Sequence, residues 1–458
     1  MNTSRTNINQ FDRAYLIGIG GIGMSAIARY FKSINWVVGG YDKTPTLLTK
    51  ELEKEGIKIH YNDLKNAIPK DFQDIKKTLV IYTPAIPSSL GELIYIKNNG
   101  FVLFKRAVVL GMITKKSKSL CIAGTHGKTT IATMVTHVLN QSQYKCTAFL
   151  GGISSNIDSN FITNKDSKYT VVEADEFDRS FLHLRPFASI ISSIDPDHLD
   201  IYKTINCIKK EFQNYANLIH ENGFMIKHKD LKIDHPNTIS YGLNFGADYF
   251  GENIRFENNT FVFDVKTPSS FWKNVILGVP GIHNAENAIA CIALCSQLGL
   301  KENEIRKPLA SFKGVKRRFE YHIKSKKLIY IDDYAHHPTE INALISSIKL
   351  LYPTKKITAI FQPHLFSRTK DFMTDFAEEL SNVDELILLP IYPAREKPIK
   401  GITSKKLLDK ITLNKKKILS PKETLEYICK NNLEVLLTIG AGDINKMVTP
   451  IKKKLINR

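Results

Sequence analysis

Cysteine is scarce. The 458 residues hold six, Cys121, Cys146, Cys207, Cys291, Cys295 and Cys429, scattered along the chain and with no C-x-x-C pair. With no secretory context, that spacing excludes a disulfide framework or a zinc cluster and predicts reduced, mostly buried thiols. Long apolar runs are also missing: none approaches the roughly 20 residues that would cross a bilayer, and the opening MNTSRTNINQFDR carries no hydrophobic signal segment. A cytoplasmic location without membrane insertion is the expectation. Short repeats and low-complexity segments are absent too.

Acidic residues are in deficit, with 45 Asp and Glu against 64 Lys and Arg, a formal net charge of +19. A basic surface can attract polyphosphate through counterion release. Here the lysines are spread over the whole chain, often beside isoleucine and asparagine as in KKSKS, LNKKKIL and IKKKLINR. This is drift in composition rather than one patch, so no nucleic-acid partner is expected. With 43% hydrophobic and 24% charged residues, the chain is globular and able to bury a sizeable core. Its length calls for two or three domains.

Strand-like and helix-like runs alternate almost from end to end, which predicts an α/β protein with parallel sheets covered by helices. AYLIGIG, MSAIARYFKSI and WVVGGYD make the first strand-helix-strand unit. The pattern restarts at SLCIAG and again at KLIYIDDYAHHP, with ASFKGVKRRFE as a linker. Three domains follow: residues 1–112 Rossmann-like, 113–315 a central domain with a mainly parallel sheet that opens on the phosphate-loop-like GTHGKTT, and 316–458 Rossmann-like again. Residues 240–280 alternate more strictly and are rich in glycine and asparagine, which predicts an antiparallel β insertion in the middle domain.

Two glycine clusters carry the first chemistry. Gly18, Gly20, Gly21 and Gly23 form G-x-G-x-x-G between a strand and a helix, where free backbone N–H groups and the positive end of the helix dipole favour a diphosphate. Asp42 ends the next strand and could accept from a ribose; the spacing suits NAD and UDP equally. In GTHGKTT, Gly124 to Thr130, two glycines, Lys128, Thr129 and Thr130 open a helix after a strand. Ile122 stands where the usual phosphate-loop pattern has its first glycine, which shortens the cradle. Lys128 can meet phosphate oxygens, and Thr129 can offer a hydroxyl to Mg2+.

Carboxylates follow at strand ends. Glu173 in TVVEADEFD would be enough to partner magnesium, which keeps several waters. Asp195, Asp197, His198 and Asp200 crowd SIDPDHLDIY, where His198 could be a metal ligand or a proton carrier. Asn284 and Asn287 share a face if helical, and such amides can read a purine edge. Arg317 or Arg318 could neutralise charge on a transferring phosphoryl group.

Taken in order, GIGGIGMSAIA, AGTHGKTT, EADE, DPDHLD, GIHNAENAIA, KRRFE, DDYAHHPTE and FQPHLFSRT resemble the Mur ligase family over nearly the whole chain. The resemblance implies an enzyme of cytoplasmic peptidoglycan precursor synthesis, an ATP-dependent ligase with ATP and Mg2+ as cofactors. The members it is most similar to join L-alanine to UDP-N-acetylmuramate through an acyl phosphate. It implies a UDP-sugar site at Gly18, Gly20, Gly21, Gly23, Ser25 and Asp42. It implies an ATP site at Gly124, Thr125, His126, Gly127, Lys128, Thr129, Thr130, Asn284, Asn287, Arg318 and Asp333, with Asn284 and Asn287 on adenine and Asp333 on the ribose. Lys128, Glu173, His198 and Arg318 are the implied catalytic residues, and Thr129, Glu173 and His198 the metal set. Tyr334, His336, His364 and Arg368 would line the alanine side. The chain would act as a monomer or weak homodimer.

Two positions depart from the family pattern: Leu365 follows His364 where many alanine-adding members have arginine, and Val108 replaces the glutamate of an R-A-E motif. The carbamylated lysine of members that add later residues has no clean match in IKKEFQNYANLI, which suits an alanine-adding member. The close alternative is a recycling ligase that attaches an intact tripeptide, against which Gln362-Pro363-His364 argues. A nicotinamide oxidoreductase would leave the phosphate loop idle, and a basic nucleic-acid-binding ATPase would leave DDYAHHPTE unexplained.

Overall fold

The structure, a computed structural model, describes residues 8–196, 199–257, 260–394 and 396–457. Three sheets succeed one another along the chain, all mainly parallel, so the fold class is the α/β one that the alternation predicts. The first has order β3-β2-β1-β4-β5, with β1 Arg13–Ile17, β2 Val37–Tyr41, β3 Lys58–His60, β4 Thr78–Tyr82 and β5 Val102–Lys105. Every pairing in it is parallel, with Leu16 between Gly40 and Ile81. Ala14 to Ile17 are fully buried, as a strand covered on both faces requires. The order reverses between β1 and β4, and a ligand crevice opens at such a switch point, beyond the carboxyl ends of the strands.

The second sheet contains β6 Lys118–Ala123, β7 Thr147–Ser154, β8 Ser159–Ile162, β9 Tyr169–Glu173, β10 Ala188–Ile191, β11 Phe224–His228, β12 Thr238–Leu243, β13 Tyr249–Glu257, β14 Thr260–Lys266 and β15 Phe271–Leu277. Its order is β15-β14-β13-β12-β11-β10-β6-β9-β7-β8. The strand before GTHGKTT, β6, lies between β10 and β9 and is parallel to both. Three loops therefore leave the sheet side by side at one edge. The stretch expected to be an antiparallel insertion extends this sheet: β12 and β13 pair in parallel through Tyr241 and Tyr249, whereas β13, β14 and β15 are successive neighbours whose connections are too short for a parallel crossover, so the antiparallel part begins at β13. The third sheet has order β16-β17-β21-β18-β19-β20, with β16 Glu320–Lys324, β17 Ile329–Asp333, β18 Ile357–Phe361, β19 Glu385–Leu388, β20 Lys416–Ile418 and β21 Val435–Ile439. Only β16 in it is antiparallel to its neighbour.

The chain forms two compact units. One comprises the chain up to Glu252 with Val265–Lys273 and Asn287–Ala310; the other comprises Asn253–Asp264, Asn274–Glu286 and the chain from Ser311 on. Within the first, helix Ile22–Ser33 joins the first two sheets. Its Tyr30 ring lies 5.6 Å from Phe149 and 6.3 Å from Phe161. Its Arg29, 7% exposed, pairs with Glu55 at 2.7 Å and donates to the buried Asn160 side chain. Asn160 in turn donates to the Ile22 carbonyl at 2.6 Å and to Ser25 Oγ at 3.0 Å.

Removing one partner from such a buried network strands the others. Arg29→Met is expected to lower the stability of this unit by about 2 to 3 kcal/mol, read as a shift of the first transition in guanidinium denaturation. An unchanged transition would show the network to be dispensable.

Candidate functional site

The phosphate-loop motif occupies the turn from β6 into helix Lys128–Asn140. Gly127 caps that helix at φ +80, and a Cβ there would sit 2.6 Å from Asn287 Oδ1, so both backbone and space require glycine. The loop is knitted to the end of β10. Thr125 Oγ lies 2.9 Å from Ser193 Oγ, the His126 amide donates to Ser193 Oγ at 2.9 Å, and the Asp195 amide donates to Thr125 Oγ at 3.1 Å. His126 Nε2 is 3.2 Å from Asp195 Oδ2. Thr130 is buried in the first helical turn.

On the other flank, Thr129 Oγ donates to Glu173 at 2.9 and 3.1 Å, and the Gly151 amide donates to Glu173 Oε2 at 2.8 Å. A hydroxyl and a carboxylate converging this way are hard oxygen donors of the kind magnesium takes. Lys128, 14% exposed, pairs with Glu176, 3% exposed, at 2.9 Å, and it also donates to the Gly124 carbonyl. Burial pulls the Lys128 ammonium down, but the carboxylates of Glu176, Asp175 and Glu173 outweigh it and hold the group above its ordinary value. Asp197 and His198 lie outside the described residues.

The first glycine cluster follows β1. The Gly20 amide donates to Asp42 Oδ2 at 2.8 Å and the Thr44 amide to Asp42 Oδ1 at 3.2 Å, so Asp42 closes its own loop. Ser25 is fully buried, its hydroxyl on the Ile22 carbonyl. Gly21 caps helix Ile22–Ser33 without a side-chain bond, which leaves its amides to a ligand. A cavity of about 330 Å³ is lined by Gly21, Ile22, Gly23, Met24 and Ala26 on one side and by Gly151, Glu173 and Asp175 on the other. Its cation is Arg106, also in the lining, 3.2 Å from Asp175. Val108, where the family pattern has glutamate, packs on the apolar core beside it.

In the second unit, Asp333 ends β17 and accepts from the Phe319 and Ala335 amides, both at 2.7 Å. Burial nevertheless pushes its carboxyl up to about 7. Arg317 and Arg318 lie over the Tyr334 ring, 5.0 and 5.5 Å from its centroid. Arg317 is anchored by Asp332 at 3.3 Å and the Gly440 carbonyl at 2.7 Å. Ligand atoms of Glu320, His322 and Asp332 lie within 4.8 Å of one another, but Asp332 is already committed to Arg317 and to Thr438 at 2.6 Å.

The four residues expected on the alanine side form a continuous run. Tyr334 and His336 have ring centroids 5.3 Å apart, His336 and His364 are 6.1 Å apart, and His364 Nδ1 is 3.3 Å from Arg368 Nη1. His336 is set by Glu340, 3.2 Å from its Nδ1, and His364 stacks on Tyr392. Gln362 is spent on Asp443 and on the Ile444 amide. Leu365 sits at φ +70, ψ 138, its amide donating to the Tyr392 carbonyl at 3.0 Å. Asn284 and Asn287 are both in helix Ile282–Gln297 and nearly buried, Asn284 donating to the Pro280 carbonyl at 2.5 Å.

Sequence reasoning passed over Glu176, Ser193, Arg106 with Asp175, and His283. Glu176 stood in the quoted TVVEADEFD, three residues after Glu173, with no local sign that it would meet Lys128. His283 stood between the glycine and the asparagine of GIHN; its Nδ1 is buried without a hydrogen-bond partner among the described residues.

Profiles of three Mur ligase domains match in succession: the catalytic domain of the family over residues 13–118, the middle domain over 122–295 and the glutamate ligase domain over 317–442. The UDP-N-acetylmuramate--L-alanine ligase of Flavobacterium johnsoniae is 49% identical over 449 residues, 98% of this chain and 99% of that one. The enzyme of the same name from Parabacteroides distasonis is 46% identical over 454 residues, 98% of each. Among solved structures, the UDP-N-acetylmuramate-alanine ligase of Thermotoga maritima superposes with a TM-score of 0.83 at 27% identity, covering 97% of this chain and 99% of that one. A murein peptide ligase from Psychrobacter arcticus shares the fold with a TM-score of 0.70 at 21% identity, covering 97% and 99%. The chain belongs to the Mur ligase family.

His283 generates a pH prediction. Burial is the main cause pulling its imidazole from 6.5 to about 4, helped by Arg318 and opposed by Glu340 and Glu286. The native state thus resists a proton that the unfolded chain accepts, so the neutral ring's contribution is complete above pH 6.5 and is lost as pH falls toward 4. His283→Asn is expected to flatten the fall in Tm over that interval; a parallel curve for wild type and variant would refute the assignment.

Proposed function

We propose that this chain joins L-alanine to UDP-N-acetylmuramate at the expense of ATP, in the cytoplasm, as a step of peptidoglycan precursor synthesis. The observation that carries the proposal is the cavity lined jointly by the first glycine loop and by Glu173 and Asp175, beside the phosphate loop in the same compact unit. A diphosphate held at Gly18 to Gly23 and a triphosphate held at Gly124 to Thr130 would be neighbours. An oxidoreductase would have no use for the second loop. The full-length identity to L-alanine ligases supports this acceptor over a tripeptide.

In this reading a lactoyl carboxylate oxygen attacks the γ-phosphorus of ATP, releasing ADP and leaving an acyl phosphate. The alanine amine then attacks the acyl carbon, loses a proton and expels phosphate. Lys128 and Arg318 supply positive charge where two anions meet, and Arg106 can take up the carboxylate charge in the cavity. Thr129 and Glu173 would hold a magnesium ion, which supplies charge neutralisation on the phosphates when bound, and His198 would serve a second metal. Asn284 and Asn287 would meet adenine and Asp333 the ribose, while Tyr334, His336, His364 and Arg368 receive alanine. Domains at 1–112, 113–315 and 316–458 would carry the sugar, ATP and amino-acid functions, in a monomer or weak homodimer.

Phosphate release from ATP with UDP-N-acetylmuramate is expected to require L-alanine and to yield a product of the matching mass. Turnover with tripeptide alone would move the chain to the recycling reaction, and no turnover with L-alanine, glycine, L-serine or tripeptide would sink the proposal. Lys128→Ala is expected to lower kcat by about 1,000-fold or more with the fold intact by circular dichroism. Retained activity would remove the loop from the mechanism.

A further inference from the structure

The phosphate loop carries its own anion. Both Glu176 oxygens reach Lys128 Nζ, at 3.0 and 2.9 Å, and Glu176 is almost fully buried. It comes from the turn after β9, whose position is fixed in part by Tyr202, the hydroxyl of which donates to the Glu176 backbone carbonyl. A buried carboxylate with its ammonium partner is tolerable, whereas either alone is costly. The loop lysine therefore rests on a carboxylate in the position where an incoming phosphate needs it.

We propose that Glu176 is a positioning residue that acts as resident counter-ion of the phosphate loop: it holds Lys128 in place between turnovers, yields it to the nucleotide phosphates, and reclaims it when phosphate leaves. The proposal rests on ATP binding at this loop. Binding is then the exchange of one anion for another, and each cycle trades some nucleotide affinity for faster release. Aspartate is too short to span the same gap, and glutamine keeps the shape without the charge.

Calorimetry of ADP binding to the full chain without divalent metal reads the exchange directly. Glu176→Gln is expected to bind ADP about fivefold or more tighter than wild type, because no carboxylate competes. Under turnover, KM for ATP and kcat should both fall, kcat by about tenfold as release slows; mere loss of packing would raise KM. Equal or weaker ADP binding by a folded Glu176→Gln protein would overturn the proposal while leaving the ATP reading intact. Absence of ADP binding in wild type would overturn both. Should Glu176→Gln not fold, Glu176→Asp replaces it, and amine-reactive labelling of Lys128 in nucleotide-free protein is followed by mass spectrometry. Labelling several-fold faster than in wild type, suppressed by ADP, is the expected result, and an unchanged rate refutes the counter-ion role.

Discussion

Everything in this molecule depends on parallel strand pairing. Parallel neighbours need a crossover between them, and crossovers deliver each loop after a strand to the same edge of the sheet. In the second sheet the consequence is concrete: β6, β9 and β10 end together, so Lys128, Glu173 and Ser193 become neighbours although they are far apart in sequence. No single loop could bring a lysine, a carboxylate and a serine together around the turn that opens helix Lys128–Asn140. The first sheet repeats the arrangement with the Gly18 loop at the end of β1, and the third with Asp333 ending β17 and His364 just beyond β18.

Electrostatics then divide the labour. Around the phosphate loop the carboxylates Glu173, Asp175 and Glu176 outnumber the cations Lys128 and Arg106, with the hydroxyl of Thr129 on Glu173. In the second unit the cations are placed by stacking as well as pairing, with Arg317 and Arg318 on Tyr334. A planar guanidinium keeps its direction on an aromatic face where an ammonium would not. Asp332 and Gly440 fix Arg317 and so support the ring that Arg318 shares.

Much of this was legible in the chain itself, for definite reasons. Alternating apolar and amphipathic runs report local periodicity, so the α/β class and the strand-loop-helix context of GTHGKTT could be read directly. Thr129 and Glu173 could be singled out because a phosphate loop calls for a carboxylate at a strand end, and the fold brings the two within hydrogen-bond distance. What local pattern cannot convey is which strands become neighbours. The run from 240 to 280 alternates like an antiparallel hairpin set, and β13, β14 and β15 follow one another with hairpin-length connections, yet β12 joins β13 in parallel. Glu176 looked like part of an acidic loop, and only tertiary placement turns it toward Lys128. Ser25 sat in a ligand-binding motif but its hydroxyl is used inside the helix and by Asn160. Solvent and partner look alike until the fold supplies the second group.

Leu365 shows how such a protein can change residues without losing its shape. Its backbone is at φ +70, a region that costs any side chain beyond glycine. What holds it there is main chain: its amide on the Tyr392 carbonyl, and its own carbonyl accepting from Thr369 Oγ at 2.7 Å. The strain of this backbone conformation is therefore one that leucine shares with any other residue that carries a Cβ. A side chain exchanged at this point would change the chemistry beside His364 and Arg368 without removing the two main-chain contacts that set the turn.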